Sequence, residues 1–124
     1  MNAKRLLLVD DQPELLRLMS AYLPRAGYAV TCCSTGAEAL ETLASGEPMA
    51  AAIVDMGLPD VDGRELLERM ADSYPALRIL ISSGAYLDDE PFQDEYHGRV
   101  SYLQKPYLPK ALLAALDQLL SPAR

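Results

Sequence analysis

The chain has 124 residues, half of them apolar and 23% charged, which is the composition of a single globular domain. Eighteen acidic residues against eleven basic ones give a formal net charge of −7. This charge argues against binding to nucleic acid or to an anionic membrane.

Two adjacent cysteines, Cys32 and Cys33, lack the spacing of a metal site. Alternation along a strand should send one thiol inward and the other outward. We expect both thiols to be reduced and the protein to be cytoplasmic. We also expect no signal peptide and no membrane helix, because no apolar run approaches the roughly 20 residues that a membrane helix needs.

Short apolar runs alternate with helical patterns along the chain. The runs predict five buried strands, at Leu6–Val9, Tyr28–Cys33, Met49–Val54, Leu77–Ile81 and Val100–Leu103. Helical spacing predicts helices that begin near Pro13, Thr35 and Asp62, a helix within the acidic stretch 85–98, and a last helix over Leu108–Leu120. Five strand–helix units predict an α/β fold with a parallel sheet and helices on both faces.

Local motifs set the predicted helix boundaries. Gly27 is predicted to end the first helix, and Asp62 to cap the third. Thr35 and Glu38 form a capping-box pattern at the start of the second helix. We expect the apolar face of that second helix to consist of Ala37, Leu40, Leu43 and Ala44.

Polar residues follow four of the predicted strands, at the sheet edge where α/β proteins bind their ligands. They are Asp10, Asp11, Asp55, Ser82, Ser83, Gln104 and Lys105. Three clustered carboxylates repel one another unless a hard cation such as Mg²⁺ lies among them. A lysine and a hydroxyl suit phosphoryl oxygens, so the set predicts phosphoryl transfer to a carboxylate. We favour Asp55 as the acceptor because it follows the middle strand of the expected order.

These residues stand in motifs that resemble the receiver domain of two-component response regulators (CheY-like), over roughly residues 4–120. The matching segments are Leu8–Asp11, Ile53–Gly63, Ser83–Gly84, Lys105–Pro106 and, three residues before that lysine, Tyr102. The resemblance implies a flavodoxin-like, doubly wound (βα)5 fold whose five parallel strands are ordered 2-1-3-4-5. We expect one receiver domain over residues 1–124, with no output domain after it.

The resemblance also implies an acceptor and a metal site. Asp55 takes a phosphoryl group from a histidine of a sensor kinase or phosphotransferase, in a step that needs Mg²⁺. Asp10, Asp11, Asp55 and the backbone carbonyl of Gly57 hold the Mg²⁺, for which Mn²⁺ can substitute. The domain is then a phosphoacceptor that assists its own phosphorylation and dephosphorylation, not an enzyme with a separate substrate.

The resemblance also implies a conformational switch. Lys105 and Ser83 contact the phosphoryl oxygens, and Ser83 together with the aromatic Tyr102 changes position on phosphorylation. The surface that would bind a downstream protein consists of the predicted helix within 85–98, the fifth strand and the last helix. Neither nucleic acid nor membrane is an expected partner.

Two residues depart from the family pattern beside the path of the water that would remove the phosphoryl group. Gly57 stands where many members carry a polar side chain, and Ala85 is also small. Neither can orient or exclude that water. The stretch Tyr102–Tyr107 is similar to receivers attached to hybrid histidine kinases, whereas the start at Met1 favours a stand-alone protein.

Three other functions share part of this pattern. A phosphatase of the haloacid dehalogenase type needs an acid where Gly57 stands. A flavodoxin-like cofactor site needs backbone donors in the loop Asp10–Pro13, which is acidic and contains a proline. A receiver fold that binds partners without ever being phosphorylated remains the alternative to the main interpretation.

Overall fold

A computed structural model of the chain describes residues 4–84 and 98–121. The described residues form the strands β1 (Lys4–Val9), β2 (Tyr28–Cys33), β3 (Ala51–Asp55), β4 (Arg78–Ser83) and β5 (Val100–Gln104). They also form the helices α1 (Pro13–Tyr22), α2 (Gly36–Ala44), α3 (Gly63–Ser73) and α4 (Pro109–Leu120). All strand pairs are parallel, in the order β2-β1-β3-β4-β5. The predicted fold and strand order are confirmed.

Alternating side chains of the central strands pack into two hydrophobic cores, one on each face of the sheet. On one face, Leu7 and Val54 pack with α2 and α3. On the other face, Leu8 and Ile53 pack with α1 and α4. Because both faces are covered, β3 is buried over its whole length, which explains its continuous apolar sequence.

The fourth strand is longer than its apolar run predicts. It continues through Ser82 and Ser83, because Ser82 pairs with Asp55 of β3 and Ser83 pairs with Gln104 of β5. Both serines are buried at the carboxyl end of the sheet. Strand pairing, and not hydrophobicity, therefore sets the end of β4 beside the predicted site.

Helix α2 confirms its predicted start and corrects its predicted face. The Glu38 backbone N–H donates to Thr35 Oγ1 at 3.1 Å, as the capping-box pattern requires. The prediction that Ala37 and Ala44 face the core is wrong, because both are exposed. Gly36, Ala39 and Leu43 are the buried residues of this helix.

Two other helix boundaries differ from the simplest prediction. Asp62 is the residue before α3, but its carboxylate makes no capping hydrogen bond among the described residues. Helix α1 ends at Tyr22, and a 3-10 turn over Leu23–Ala26 precedes Gly27, whose φ is 96°. The helix predicted within residues 85–98 falls almost wholly on residues 85–97, outside the described residues.

The predicted environments of the cysteines are confirmed. Cys32 is exposed and Cys33 is buried, and both are free thiols. None of the described helices has the length and apolar character that spanning a lipid bilayer requires.

Candidate functional site

The carboxyl ends of β1 and β3 bring three carboxylates together, as the sequence predicts. Oxygens of Asp10, Asp11 and Asp55 all lie within 4.8 Å of one another. Asp10 is 1% exposed and Asp55 6% exposed, whereas Asp11 faces solvent. Two buried carboxylates with a third at the opening form an acidic pocket that is reached from one side.

Lys105 lies directly against this pocket. Its Nζ is 2.7 Å from Asp10 Oδ2 and 3.4 Å from Asp55 Oδ2. The lysine side chain is 15% exposed, so these ion pairs are only weakly screened by water. The ammonium therefore balances part of the negative charge that the fold concentrates at this edge.

Gln12 also belongs to the site, and the sequence analysis did not identify it. Its side-chain Oε1 accepts a hydrogen bond from Lys105 Nζ at 3.1 Å, and its backbone N–H donates to Asp10 Oδ1 at 2.9 Å. The one signal available was its position directly after the acidic pair. Gln12 therefore helps to hold both Lys105 and Asp10 in place.

The acceptor candidate is held from the loop that follows it. The backbone N–H of Gly57 donates to Asp55 Oδ1 at 3.0 Å, which leaves Oδ2 on the side of Lys105. A Cβ on residue 57 would meet only the two carboxylate oxygens of Asp55, at 3.6 and 4.0 Å. The missing side chain therefore leaves open space directly beside this carboxylate.

Ser83 and Tyr102 lie on the strands next to the pocket. Ser83 is 8% exposed, and its carbonyl oxygen accepts the backbone N–H of Lys105 at 2.7 Å. Tyr102 is half-buried in β5, where it pairs with Ile81. The peptide bond between Lys105 and Pro106 is cis.

A cavity of about 430 Å³ opens beside the acidic pocket. Its lining includes Gln12, Leu15, Lys105 and Tyr107. Burial, together with the negative charges of Asp10 and Asp55, raises the pKa of Tyr107 to about 12. The Tyr107 hydroxyl therefore stays protonated next to the carboxylates at neutral pH.

The donor set fits a hard divalent cation. Mg²⁺ takes oxygen ligands and usually binds one or two carboxylates plus water and phosphate oxygens. The acidic pocket brings carboxylate oxygens of three residues within 4.8 Å of one another and opens to solvent at Asp11. An ammonium beside a cation site of this kind suits a ligand that carries several negative charges, such as a phosphoryl group.

Comparison with known proteins agrees with this geometry. The family model of the response regulator receiver domain matches residues 6–117. The chain belongs to this family. It is thus a receiver domain of two-component signalling, a class of phosphoacceptor domain that binds Mg²⁺ at an acidic pocket.

Individual proteins extend the likeness. The receiver domain is 38% identical to part of the sensor protein TorS of Escherichia coli, over 98% of this chain and 13% of TorS. It spans 51% and 39% of two transcriptional proteins of Pseudomonas aeruginosa, to which it is 36% and 33% identical. The chain therefore spans about half or less of the length of each of these relatives.

Solved structures resemble it over almost the whole chain. A CheY-like receiver protein from Methanospirillum hungatei has a TM-score of 0.84 and 31% identity, covering 96% of this chain and 94% of that one. The response regulator TrrA from Thermotoga maritima, solved in complex with Mg²⁺-BeF, has a TM-score of 0.78 and 25% identity. That likeness covers 94% of this chain and 99% of TrrA.

Proposed function

We propose that Asp55 is the phosphoacceptor of this receiver domain and takes its phosphoryl group from a phosphohistidine of a sensor kinase or histidine phosphotransferase. The observation that carries the proposal is the position of Lys105, whose ammonium lies between Asp10 and Asp55 in the acidic pocket. Phosphoryl transfer depends chiefly on positioning and on neutralising charge, and this arrangement provides both.

The step is a displacement at phosphorus. An Asp55 carboxylate oxygen forms the new bond to phosphorus, the bond from phosphorus to the histidine nitrogen breaks, and the imidazole keeps that electron pair. The Gly57 N–H holds Asp55 Oδ1, and Oδ2, which faces Lys105, is the oxygen that attacks. Lys105 and the Ser83 hydroxyl then bind phosphoryl oxygens, the lysine leaving Asp10 to do so.

Asp10, Asp11, Asp55 and the backbone carbonyl of Gly57 are the proposed ligands of Mg²⁺, and we propose that Mn²⁺ can substitute. The ion supplies positive charge that offsets the repulsion between the carboxylates and the incoming phosphoryl group. The complex of TrrA with Mg²⁺-BeF supports this role for the matching pocket here. The domain then assists its own phosphorylation and dephosphorylation and acts on no separate substrate.

We propose that phosphorylation changes the partner-binding surface of the domain. We propose that Ser83 moves toward the phosphoryl group, that Tyr102 turns inward, and that the altered face around β5 and α4 binds a downstream protein. The unbalanced charge of the chain argues against nucleic acid on this domain itself, and does not extend to an attached output domain. Two free thiols support a cytoplasmic location, and the family match over residues 6–117 supports one receiver domain.

Labelling by a radioactive small phosphodonor, such as acetyl phosphate, tests the acceptor. Asp55→Asn should abolish Mg²⁺-dependent labelling and leave the fold intact, since the two side chains have nearly the same shape. Asp62→Asn is the matched control, because it makes the same chemical change at an exposed position in the same loop. Labelling that persists in Asp55→Asn would disprove the assignment.

Beryllium fluoride, a mimic of the phosphoryl group, tests the switch through amide NMR. With Mg²⁺ present, we expect shifts around Asp55, Ser83, Tyr102 and Lys105. If the wild-type chain neither accepts label nor responds to beryllium fluoride, the domain acts as a binding module without phosphorylation.

A further inference from the structure

Asp60 makes a contact that no part of the mechanism above uses. It lies five residues after Asp55, in the loop that joins β3 to α3. Its two carboxylate oxygens accept hydrogen bonds from the first backbone N–H groups of another element, α2. Asp60 Oδ1 accepts from the Gly36 N–H at 3.0 Å and Oδ2 from the Ala37 N–H at 3.2 Å. One side chain therefore joins the loop to a helix 24 residues earlier in the chain.

The contact satisfies the backbone N–H groups at the start of α2 and also stabilises the charged form of the Asp60 carboxylate. The first N–H groups of a helix have no partner within the helix, and the positive end of the helix dipole attracts an anion. Thr35 already satisfies the N–H of Glu38, so Asp60 takes the two N–H groups that the local cap leaves free. The hydrogen bond from Gly36 is the main reason why the pKa of Asp60 lies below its ordinary value.

Close packing fixes the same loop at two further points. A Cβ on Gly36 would lie 2.4 Å from Val61 Cγ1, so the side chain of Val61 packs directly against the start of α2. A Cβ on Gly63 would lie 2.7 Å from the Met56 carbonyl oxygen, so the two ends of the loop touch each other. The loop is therefore closed at its base and attached to α2 near its middle.

Gly57 lies between these attachment points. Its N–H orients Asp55, and its carbonyl is a proposed ligand of Mg²⁺. We propose that Asp60 is a positioning residue for the metal site, which holds the loop against α2 so that the Gly57 carbonyl and the Asp55 carboxylate face the same cation. This inference rests on the proposed function. It assigns to an exposed aspartate outside the acidic pocket a share of the affinity for Mg²⁺.

The test compares two isosteric substitutions in one loop. Asp60→Asn leaves an amide NH₂ facing one of the two backbone donors, so at least one hydrogen bond is lost. Asp62→Asn removes the same charge at a residue that makes no side-chain capping bond among the described residues. We expect Asp60→Asn to raise the Mg²⁺ dissociation constant about tenfold, the lower end of the effect of outer-shell partners. Asp62→Asn should stay within about twofold of wild type, because charge alone acts weakly at an exposed site.

Calorimetric titration of each variant with Mg²⁺ gives the dissociation constants, and acetyl phosphate labelling at saturating Mg²⁺ gives a second measure. Because Asp60 acts through the metal site, the labelling rate of Asp60→Asn should return to near the wild-type rate when Mg²⁺ is saturating. Asp60→Glu, which keeps the charge and both acceptor oxygens, should restore part of the affinity. Amide hydrogen exchange at Gly36 and Ala37 should quicken in Asp60→Asn without Mg²⁺.

The outcomes separate the two proposals. If wild type binds Mg²⁺ and the two asparagine variants have equal dissociation constants, the role of Asp60 is disproved and the proposed function stands. A lower unfolding temperature of Asp60→Asn with unchanged Mg²⁺ affinity would likewise reduce Asp60 to a structural residue. If wild type itself does not bind Mg²⁺, the proposed metal site fails and this inference fails with it.

Discussion

At the scale of single residues, Tyr107 carries a hydroxyl oxygen that is buried without a hydrogen-bond partner among the described residues. A buried polar group without a partner costs about 1–3 kcal/mol. Tyr107→Phe removes only this oxygen and keeps the partly buried ring packed against the core that includes α4. We expect the variant to raise the free energy of unfolding at pH 7 by about 1 kcal/mol, measured by urea denaturation.

Tyr107→Phe should also change how the free energy of unfolding depends on pH in alkaline solution. Burial and nearby carboxylates raise the pKa of Tyr107 to about 12 in the folded state, from 10.0 for a free tyrosine. The folded state therefore holds this proton more tightly than the unfolded state. Its contribution to stability is complete below pH 10 and is lost as the pH rises toward 12. Tyr107→Phe should lose less stability than wild type over that interval.

Tyr22→Phe is the control for both measurements, because Tyr22 is a half-buried tyrosine of α1. A Tyr107→Phe protein that is less stable than wild type at pH 7 would contradict the structure. It would mean that the hydroxyl has a partner in solution.

At the scale of elements, one arginine side chain caps the carboxyl end of α3. Arg99, which lies just before β5, donates from Nη2 to the carbonyl oxygens of Ala71, Tyr74 and Leu77 at 3.2, 3.0 and 3.2 Å. The last carbonyls of a helix lack partners within it, and a cation there also complements the helix dipole. Arg99 therefore joins α3 and the turn after it to the edge strand of the sheet.

Arg99→Lys should lower the free energy of unfolding by about 1–3 kcal/mol, because an ammonium cannot reproduce the planar donor set of a guanidinium. Urea denaturation measures the effect, and Arg69→Lys on the exposed side of α3 is the matched control. Equal stabilities of the two variants would show that these carbonyls do not depend on Arg99.

Elements were predictable from the sequence where local chemistry alone decides them. The strands β1 and β3 have continuous apolar runs because both faces of the sheet are covered there. Thr35 with Glu38 marked the start of α2. The face of α2 was not predictable, because small apolar residues such as Ala37 and Ala44 tolerate solvent. Which side of a helix is buried depends on how the helix packs against the sheet, which is a property of the whole fold.

In the site, too, the residues marked by a local sequence pattern were predictable, and those defined by contacts distant in sequence were not. The acidic pair and Lys105 were identified because parallel strands end at one edge of the sheet. Gln12 and Asp60 were missed because their partners lie 93 and 24 residues away, at Lys105 and Gly36. Neither residue has a local pattern that distinguishes it from a solvent-exposed turn residue.

At the scale of the whole molecule, Lys105 links segments from the beginning, the middle and the end of the chain. Its side chain contacts Asp10 and Asp55, and its backbone N–H donates to the Ser83 carbonyl. Tyr102 lies three residues before it, in β5, and Lys105 directly follows that strand. If Lys105 leaves Asp10 for a phosphoryl group, the change can reach β5 through the lysine's own backbone.

Lys105→Ala should therefore uncouple the acceptor site from the β5 surface. With Mg²⁺ and beryllium fluoride, amide shifts near Asp55 should persist, because the carboxylates and the Gly57 N–H are unchanged. The shift at Tyr102 should be lost. Without Mg²⁺, the same variant leaves the Asp10 carboxylate buried without its cation, which should cost about 3 kcal/mol of stability. Mg²⁺ should recover much of that loss, because an ion that binds only the folded state stabilises it.

Lys110→Ala is the control, because Lys110 is an exposed lysine in the first turn of α4. Removing that charge changes the net charge by the same amount without touching the pocket, so both the Tyr102 shift and the Mg²⁺-free stability should stay at wild-type values. A Lys105→Ala protein that keeps the full Tyr102 shift would mean that the change travels through Ser83 and β4 instead. Because Ser83 pairs with Gln104, the residue before Lys105, that alternative would place the link in the sheet ladder and not in the ion pair.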